Sequence, residues 1–202
     1  LQLKETHGGT VTVITYGDAS VEATLRKALA IGADDAVRLD GVPPDALQVA
    51  SELATYAAGQ SYDLIICGQE SIDYNGGIVP GALAAKLDVP FVNACIGLEI
   101  SGSNATLLRE MDGGKEELTA TLPMVIGGKK GLVEESELRI PNMRGIMTAR
   151  TKPLAVTALA GAAATTSALS FAKPAPKAAV QLIDASNLDE LVRRLHEEAK
   201  VI

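Results

Sequence analysis

A polar loop rich in glycine contains the residues of this chain best suited to binding chemistry. It runs from Gly68 to Gly77 (GQESIDYNGG) and follows the apolar run Leu64–Cys67. Backbone N–H groups at a helix start can bind phosphate, and glycines allow a ligand to approach closely. Asp73 and Asn75 could form hydrogen bonds with a ribose or hold the loop in position. No G-x-G-x-x-G or Walker sequence is present, so these residues alone leave nucleotide binding and a structural turn equally open.

The other reactive residue types form no catalytic set. The histidines, His7 and His196, and the cysteines, Cys67 and Cys95, are scattered and match no spacing typical of metal ligands. The G-x-S-x-G motif of serine hydrolases is also absent. His196 lies in a charged helical segment, where a solvated side chain is expected, and Cys67 ends an apolar strand as a small core residue. These residues therefore indicate neither an enzyme active site nor a metal centre.

Alternating strands and helices must position the loop. Strands are predicted at 10–16, 36–39 and 62–67 and from about residue 90, with helices at 20–31, 43–59 and 77–87 between them. This alternation predicts an α/β fold with a doubly wound, mostly parallel sheet, in which ligands bind at the carboxyl ends of the strands. The apolar run of the third strand predicts burial on both faces.

The second half of the chain changes pattern. Segments 105–110 and 117–122 flank the Gly113-Gly114 turn and predict a β-hairpin insertion, and a last strand at 124–127 is expected to rejoin the main sheet. Residues 154–177 are rich in Ala, Thr and Pro, which favours an extended arm, with a disordered linker as the alternative. Residues 186–195 predict an amphipathic terminal helix that needs a surface in its own domain or on another chain.

Net charge and the length of the apolar runs indicate which kind of partner and which cellular location to expect. The formal net charge of -7 argues against nucleic acid and favours a soluble partner. Apolar runs are far shorter than a bilayer span and no signal peptide is visible, so membrane insertion is not expected and a cytoplasmic location is predicted. The first five residues are typical of the end of an amphipathic helix, which suggests that a natural N-terminal segment precedes them.

Four segments, in order and spacing, resemble the β (small) subunit of electron transfer flavoproteins. They are 16–18 (YGD), 25–34 (LRKALAIGAD), 68–73 (GQESID) and 139–153 (RIPNMRGIMTARTKP). The resemblance as a whole extends over nearly the whole chain. The resemblance implies a heterodimer with a larger α subunit, an FAD held mainly by that subunit, and AMP in the β subunit, replaced by a second FAD in bifurcating members. It implies an electron carrier rather than an enzyme.

The resemblance also assigns a nucleotide site. Tyr16 and Gly17 would approach the adenine through the backbone, and the segment from Gly68 to Val79 would surround the ribose and phosphate. The matching positions in that segment are Gly68, Gln69, Ser71, Ile72, Asp73, Asn75, Gly76, Gly77, Ile78 and Val79. Many family members have an acidic run followed by Gln where this chain has Asp73-Tyr74-Asn75 and Ile78. Fewer side-chain contacts to the phosphate are therefore expected here.

A second implied site is a partner-recognition loop at 131–153. Its expected docking residues are Arg139, Pro141, Met143, Ile146 and Met147, with Met143 as the apolar anchor. The alternative is that the apolar residues of this stretch are core residues of a turn or helix. The implied partners are acyl-CoA or other flavin dehydrogenases, which supply electrons, and a membrane quinone oxidoreductase, which receives them.

The implied organisation is a nucleotide-binding domain at 1–153 and a C-terminal arm at 154–202 that packs on the α subunit. A rival hypothesis from the same strand-loop-helix pattern is a stand-alone adenine-nucleotide sensor of the universal-stress type, which predicts a homodimer. A nucleotide-dependent ligase or pyrophosphatase is a further alternative, but the phosphate loop expected near its start is missing.

Overall fold

The computed structural model describes residues 1–177 and 179–202, so that residue 178 of the predicted arm lies outside the described residues. The described chain forms two units, Leu1–Ser167 and Ala168–Ile202. In the first unit, strands and helices alternate as far as β4, and a hairpin and two further strands follow. The elements in chain order are α1 Gln2–His7, β1 Thr12–Gly17, α2 Glu22–Ile31, β2 Asp35–Asp40, α3 Ala46–Ala58, β3 Leu64–Gly68, α4 Val79–Leu87, β4 Phe91–Ser101, β5 Asn104–Met111, β6 Gly114–Thr121, β7 Met124–Gly128, α5 Met143–Ala149 and β8 Leu154–Ala158.

The strands of the first unit form two sheets. One has the order β1-β2-β8 and is parallel throughout, and the other has the order β3-β7-β4-β5-β6. In the second sheet β7 pairs in parallel with β3 and β4, whereas β5 and β6 form the antiparallel hairpin. The predicted α/β fold with mostly parallel strands, the hairpin insertion and the return of the last strand are thus confirmed.

Helix α3 connects the two sheets. Its residue Leu53 packs against the buried cluster around Leu39 of β2 and also against the cluster around Val125 of β7. The helix begins where the Asp45 carboxylate accepts a hydrogen bond from the Gln48 N–H at 2.7 Å, a typical N-cap. Both sheets therefore share one helical layer, which places the carboxyl ends of β1 and β3 in the same unit.

Strand β3 is more exposed than the sequence predicts. Ile66 at its centre is 54% exposed, so the prediction that both faces of this strand are buried is wrong. Within the described residues β3 pairs only with β7, and one of its edges has no neighbouring strand. An apolar run shows that a strand is suited to burial, but whether the strand is buried depends on how many neighbours it has.

The predicted C-terminal arm begins with a strand of the first unit and not with an extended segment. Residues 154–158 form strand β8, which pairs in parallel with β2 from Ala36 to Asp40. The expected boundary at residue 153 is therefore wrong, and the first unit continues to Ser167. The Ala-rich sequence of this stretch carries little strand signal, whereas the open edge of β2 supplies a full ladder of backbone partners.

The second unit is mostly irregular. It contains helix α6, Leu188–Arg193, followed by a single π turn at Arg194–Glu198, so the predicted terminal helix is confirmed. Leu188 and Val192 on this helix are exposed. No helix in the described part of the chain has the length and apolar character required to cross a bilayer.

Candidate functional site

The glycine-rich loop lies at the carboxyl end of β3, immediately before α4. The Gln69 N–H donates to the Gly128 carbonyl at 3.0 Å, which attaches the start of the loop to the end of the neighbouring strand β7. Residues 70–78 are exposed. The loop thus occupies the edge of a parallel sheet at which ligands of α/β proteins bind.

A tight turn gives this loop its shape. Ser71 Oγ donates to Asp73 Oδ2 at 2.8 Å, and the Asn75 N–H donates to the Ser71 carbonyl at 2.8 Å. Asn75 and Gly77 have left-handed backbone angles, with φ of 50° and 59°. Asparagine and glycine adopt this conformation at the lowest cost. The loop therefore holds its curvature with bonds between its own residues and leaves most of its polar surface accessible.

Helix α4 begins without a side-chain cap. Ile78 precedes its first residue and offers no hydrogen-bond acceptor to the first turn. Pro80 at the start has no N–H, so the uncapped donors of this turn belong to its other residues. Uncapped N–H groups at the amino end of a helix attract anions. Together with the adjacent glycines, this end of α4 can accept a phosphate group.

Tyr16 and Gly17 end strand β1 in the other sheet. The Tyr16 side chain is buried, its hydroxyl donates to Gln48 Oε1 at 3.0 Å, and burial raises the pKa of its phenol. Its side chain therefore belongs to the core, and only its backbone can face a ligand. Among the described residues no hydrogen bond joins Tyr16 or Gly17 to the loop at 68–79. Both groups nevertheless lie at the carboxyl ends of strands that pack on α3.

One residue near this end of the sheet was not identified from the sequence. Arg38 is buried, donates from Nη1 to the Gly17 carbonyl at 3.1 Å, and forms an ion pair with Asp40. The carbonyl of Gly17 therefore has a cationic partner within the fold. A charged residue inside a strand pattern is the sequence signal that could have revealed it.

The predicted docking residues lie on an exposed surface. Met143 is 75% exposed at the start of α5, and Ile140 before it is also exposed, so neither is a core residue of the first unit. Asn142 caps α5 by accepting from the Gly145 N–H at 2.7 Å. Arg139, Ile146 and Met147 are exposed as well, whereas Pro141 is half-buried. Met143, Ile146 and Met147 therefore lie on α5 with exposed apolar side chains, and Arg139 and Pro141 precede the helix.

Helix α5 is fixed to α2 by close backbone contact and by two cations. A Cβ added to Gly145 would lie 2.3 Å from the Ala30 carbonyl oxygen, so only glycine allows this approach. Arg26 Nη1 donates to the Ala149 carbonyl at 2.8 Å, and Lys152 Nζ donates to the Leu29 carbonyl at 3.0 Å. The side chains of Met143 and its neighbours are thus presented from a rigid base.

Comparison of the sequence with known proteins identifies its family. Residues 1–162 match the electron transfer flavoprotein domain. The chain is 40% identical over 158 residues to the electron transfer flavoprotein subunit beta of Bacillus subtilis, covering 76% of this chain and 60% of that protein. It is 35% identical over 181 residues to the subunit beta of Syntrophomonas wolfei, covering 89% and 71%. The human subunit beta is 32% identical over 151 residues, covering 72% and 58%. The chain therefore spans about 60% of the length of the Bacillus relative.

Proposed function

The chain belongs to the electron transfer flavoprotein β-subunit family, and we propose that it binds AMP and docks dehydrogenases in a cytoplasmic heterodimer that carries electrons. The observation that carries this proposal is the pairing of family membership with an open polar loop at the carboxyl edge of a parallel sheet. In this proposal the larger α subunit holds most of the FAD. Dehydrogenases of the acyl-CoA or other flavin type supply electrons, and a quinone oxidoreductase receives them.

The residues of the loop fit a nucleotide. A Cβ added to Gly76 would make only ordinary van der Waals contact, since the nearest atom is Ile78 Cδ1 at 3.7 Å. The uncapped start of α4 offers N–H donors to a phosphate, and the carboxylate of Asp73 and the amide of Asn75 can bind ribose hydroxyls. No basic side chain lies within the loop itself. The phosphate would therefore be held mainly by backbone donors.

In this proposal the heterodimer, and not the β chain alone, holds the FAD. When bound, FAD supplies the redox chemistry, and the protein supplies orientation and electrostatics. The part of this chain is to present the docking residues on α5 from a fixed position on α2. The exposed apolar residues of the second unit are proposed to pack on the α subunit, because an irregular segment cannot bury such residues by itself.

Co-expression with an α subunit tests the nucleotide and flavin assignments together. We expect a yellow heterodimer that releases AMP and FAD in equal amounts on denaturation, and an isolated β chain without flavin. Twice as much FAD and no AMP would indicate a bifurcating type with a second FAD. A colourless homodimer that binds an adenine nucleotide would contradict the proposal and favour a sensor.

Replacing Met143 tests the docking assignment. Because its side chain is exposed, Met143→Ala is expected to leave the melting temperature of the heterodimer within about 2 °C, since surface changes cost little stability. Electron transfer from the dehydrogenase should fall at least tenfold, as removal of an apolar anchor does at other interfaces. Met111→Ala on the hairpin is the matched control, because Met111 is also exposed. Equal turnover in the two variants would contradict the anchor role.

A further inference from the structure

Asn93 contains a buried polar atom that no residue satisfies. Within the part of the chain that the structure describes, its Oδ1 is buried and accepts no hydrogen bond. Asn93 lies on β4 at a β-bulge, where the register with β7 shifts between Val92 and Cys95 and Ala94 has a positive φ of 52°. Bulges redirect side chains and are common beside functional sites. An acceptor buried in this way lowers stability unless a donor reaches it.

The Asn93 amide lies beneath the start of the glycine-rich loop. A Cβ added to Gly127 would lie 2.1 Å from Asn93 Oδ1 and 3.3 Å from the Cα of Gln69. The absence of a side chain at Gly127 therefore leaves the room that the amide occupies. Gln69 is the first residue after β3, so the unsatisfied oxygen lies where the loop leaves the sheet.

The amide is also on the same face of the sheet as α4. Val125 of β7 and Cys67 of β3 pack with Leu83 of α4. Side chains two residues apart on a strand share a face, so the Gly127 position faces α4 as Val125 does. The uncapped amino end of α4 and the Asn93 oxygen thus lie on one side of the sheet, at its carboxyl edge.

We propose that Asn93 forms the floor of the nucleotide site and accepts a hydrogen bond from a ribose hydroxyl. An amide oxygen cannot bind an ionised phosphate, which carries acceptors only, whereas a ribose hydroxyl donates. The loop and the α4 start provide donors to the phosphate, and Asn93 provides the complementary acceptor. Gly127 is a positioning residue that keeps the amide in place. This inference rests on the proposed nucleotide binding.

Calorimetric titration of nucleotide-free heterodimer with AMP, 2′-deoxy-AMP and 3′-deoxy-AMP tests the proposal. The wild-type protein should bind one deoxy analogue about tenfold more weakly than AMP. In Asn93→Ala, AMP should bind about tenfold more weakly, and the preference over that analogue should disappear. Gly127→Ala should weaken AMP binding similarly by displacing the amide, and Asn104→Ala on the hairpin should bind as the wild type does.

The outcomes distinguish a failure of the proposed nucleotide binding from a failure of the role of Asn93. If the wild type binds no AMP, the proposed function fails and this inference fails with it. If the wild type binds AMP but Asn93→Ala keeps both its affinity and its preference between ribose and deoxyribose, only the role of Asn93 is overturned. Should Asn93→Ala not fold, Asn93→Leu, which is closer to asparagine in size and has no acceptor, is judged by the same loss of preference between the analogues.

Discussion

Two irregular segments follow parallel strands in this protein, and they differ in where their backbone N–H groups find hydrogen-bond partners. The loop at 70–78 after β3 is exposed, and most of its hydrogen bonds join its own residues. The segment at 159–166 after β8 is held by two carboxylates of α3 and its cap. We propose that the first segment is a binding surface, whereas the second is a fixed connection.

The carboxylates that hold the second segment accept a dense set of hydrogen bonds. Glu52, only 2% exposed, accepts from the N–H groups of Ala160, Gly161 and Ala162 at 2.6, 2.9 and 2.6 Å. Asp45 Oδ2 accepts from the N–H groups of Thr165 and Thr166 at 2.6 and 2.8 Å, while its Oδ1 caps α3. Charged acceptors bind N–H groups more strongly than neutral ones do. The chain therefore leaves β8 along a defined path.

The two segments differ in whether their polar groups are satisfied within the fold. Both segments contain glycine and small polar residues, and composition alone does not separate them. In 159–166 five N–H groups, those of Ala160, Gly161, Ala162, Thr165 and Thr166, are paired with carboxylates of the fold. At 70–78 and the α4 start, donors and the Asn93 acceptor remain free, and a ligand would satisfy them.

The largest expected effect comes from removing the buried acceptor of the fixed segment. Glu52→Ala leaves several N–H groups without a partner and should lower the free energy of unfolding by about 2–4 kcal/mol. Urea denaturation followed by circular dichroism measures the change. Glu52→Gln retains one side-chain oxygen and should lose less. If both variants were as stable as the wild type, the segment would not depend on this carboxylate.

Acid should loosen the same segment through Asp45. The N–H donors of Gln48, Thr166 and Thr165 lower the pKa of the Asp45 carboxyl well below its usual range. A carboxyl with a lowered pKa contributes stability above its unfolded value of about 3.9, and this contribution is lost as the pH falls towards the folded value. Asp45→Asn should therefore melt at a lower temperature than the wild type at pH 6, with a difference that shrinks below about pH 4. Thermal unfolding from pH 2 to 7 measures this, and a constant difference would contradict it.

A smaller effect is expected in the open loop. Gly77 has a φ of 59°, so Gly77→Ala forces a side chain into left-handed backbone and should cost about 1 kcal/mol of stability. Gly76→Ala is the matched control, because Gly76 has no such angle and its added Cβ would meet no atom closer than 3.7 Å. Equal stability of the two variants by urea denaturation would show that the turn can relax.

The smallest effect on stability, combined with a clear effect on binding, is expected for Gly76→Asp. The position is exposed, so the free energy of unfolding should change by less than about 0.5 kcal/mol. The added negative charge would lie beside the α4 start and oppose a phosphate, which should reduce the nucleotide content of the purified heterodimer. Unchanged nucleotide content would place the site elsewhere and remove the contrast between the two segments.

Features that arise from nearby residues could be predicted from the sequence. Alternating patterns predicted the strands and helices from β1 to α4 to within a few residues, the Gly113-Gly114 turn predicted the hairpin, and the loop between an apolar strand and a helix marked the candidate site. Each of these depends on periodicity or on backbone preferences within one segment. The resemblance of four ordered segments identified the family for the same reason, because they are read along the chain.

The tertiary structure alone decided which polar groups are satisfied and which strands have neighbours. Glu52 and Ala160 are 108 positions apart, and no local pattern links a carboxylate on a helix to an N–H group after β8. The exposure of Ile66, the pairing of residues 154–158 with β2, and the fit of the Asn93 amide against Gly127 likewise depend on partners from distant segments. Burial and hydrogen bonding are properties of such pairs, so they are defined only once the chain has brought its distant segments together.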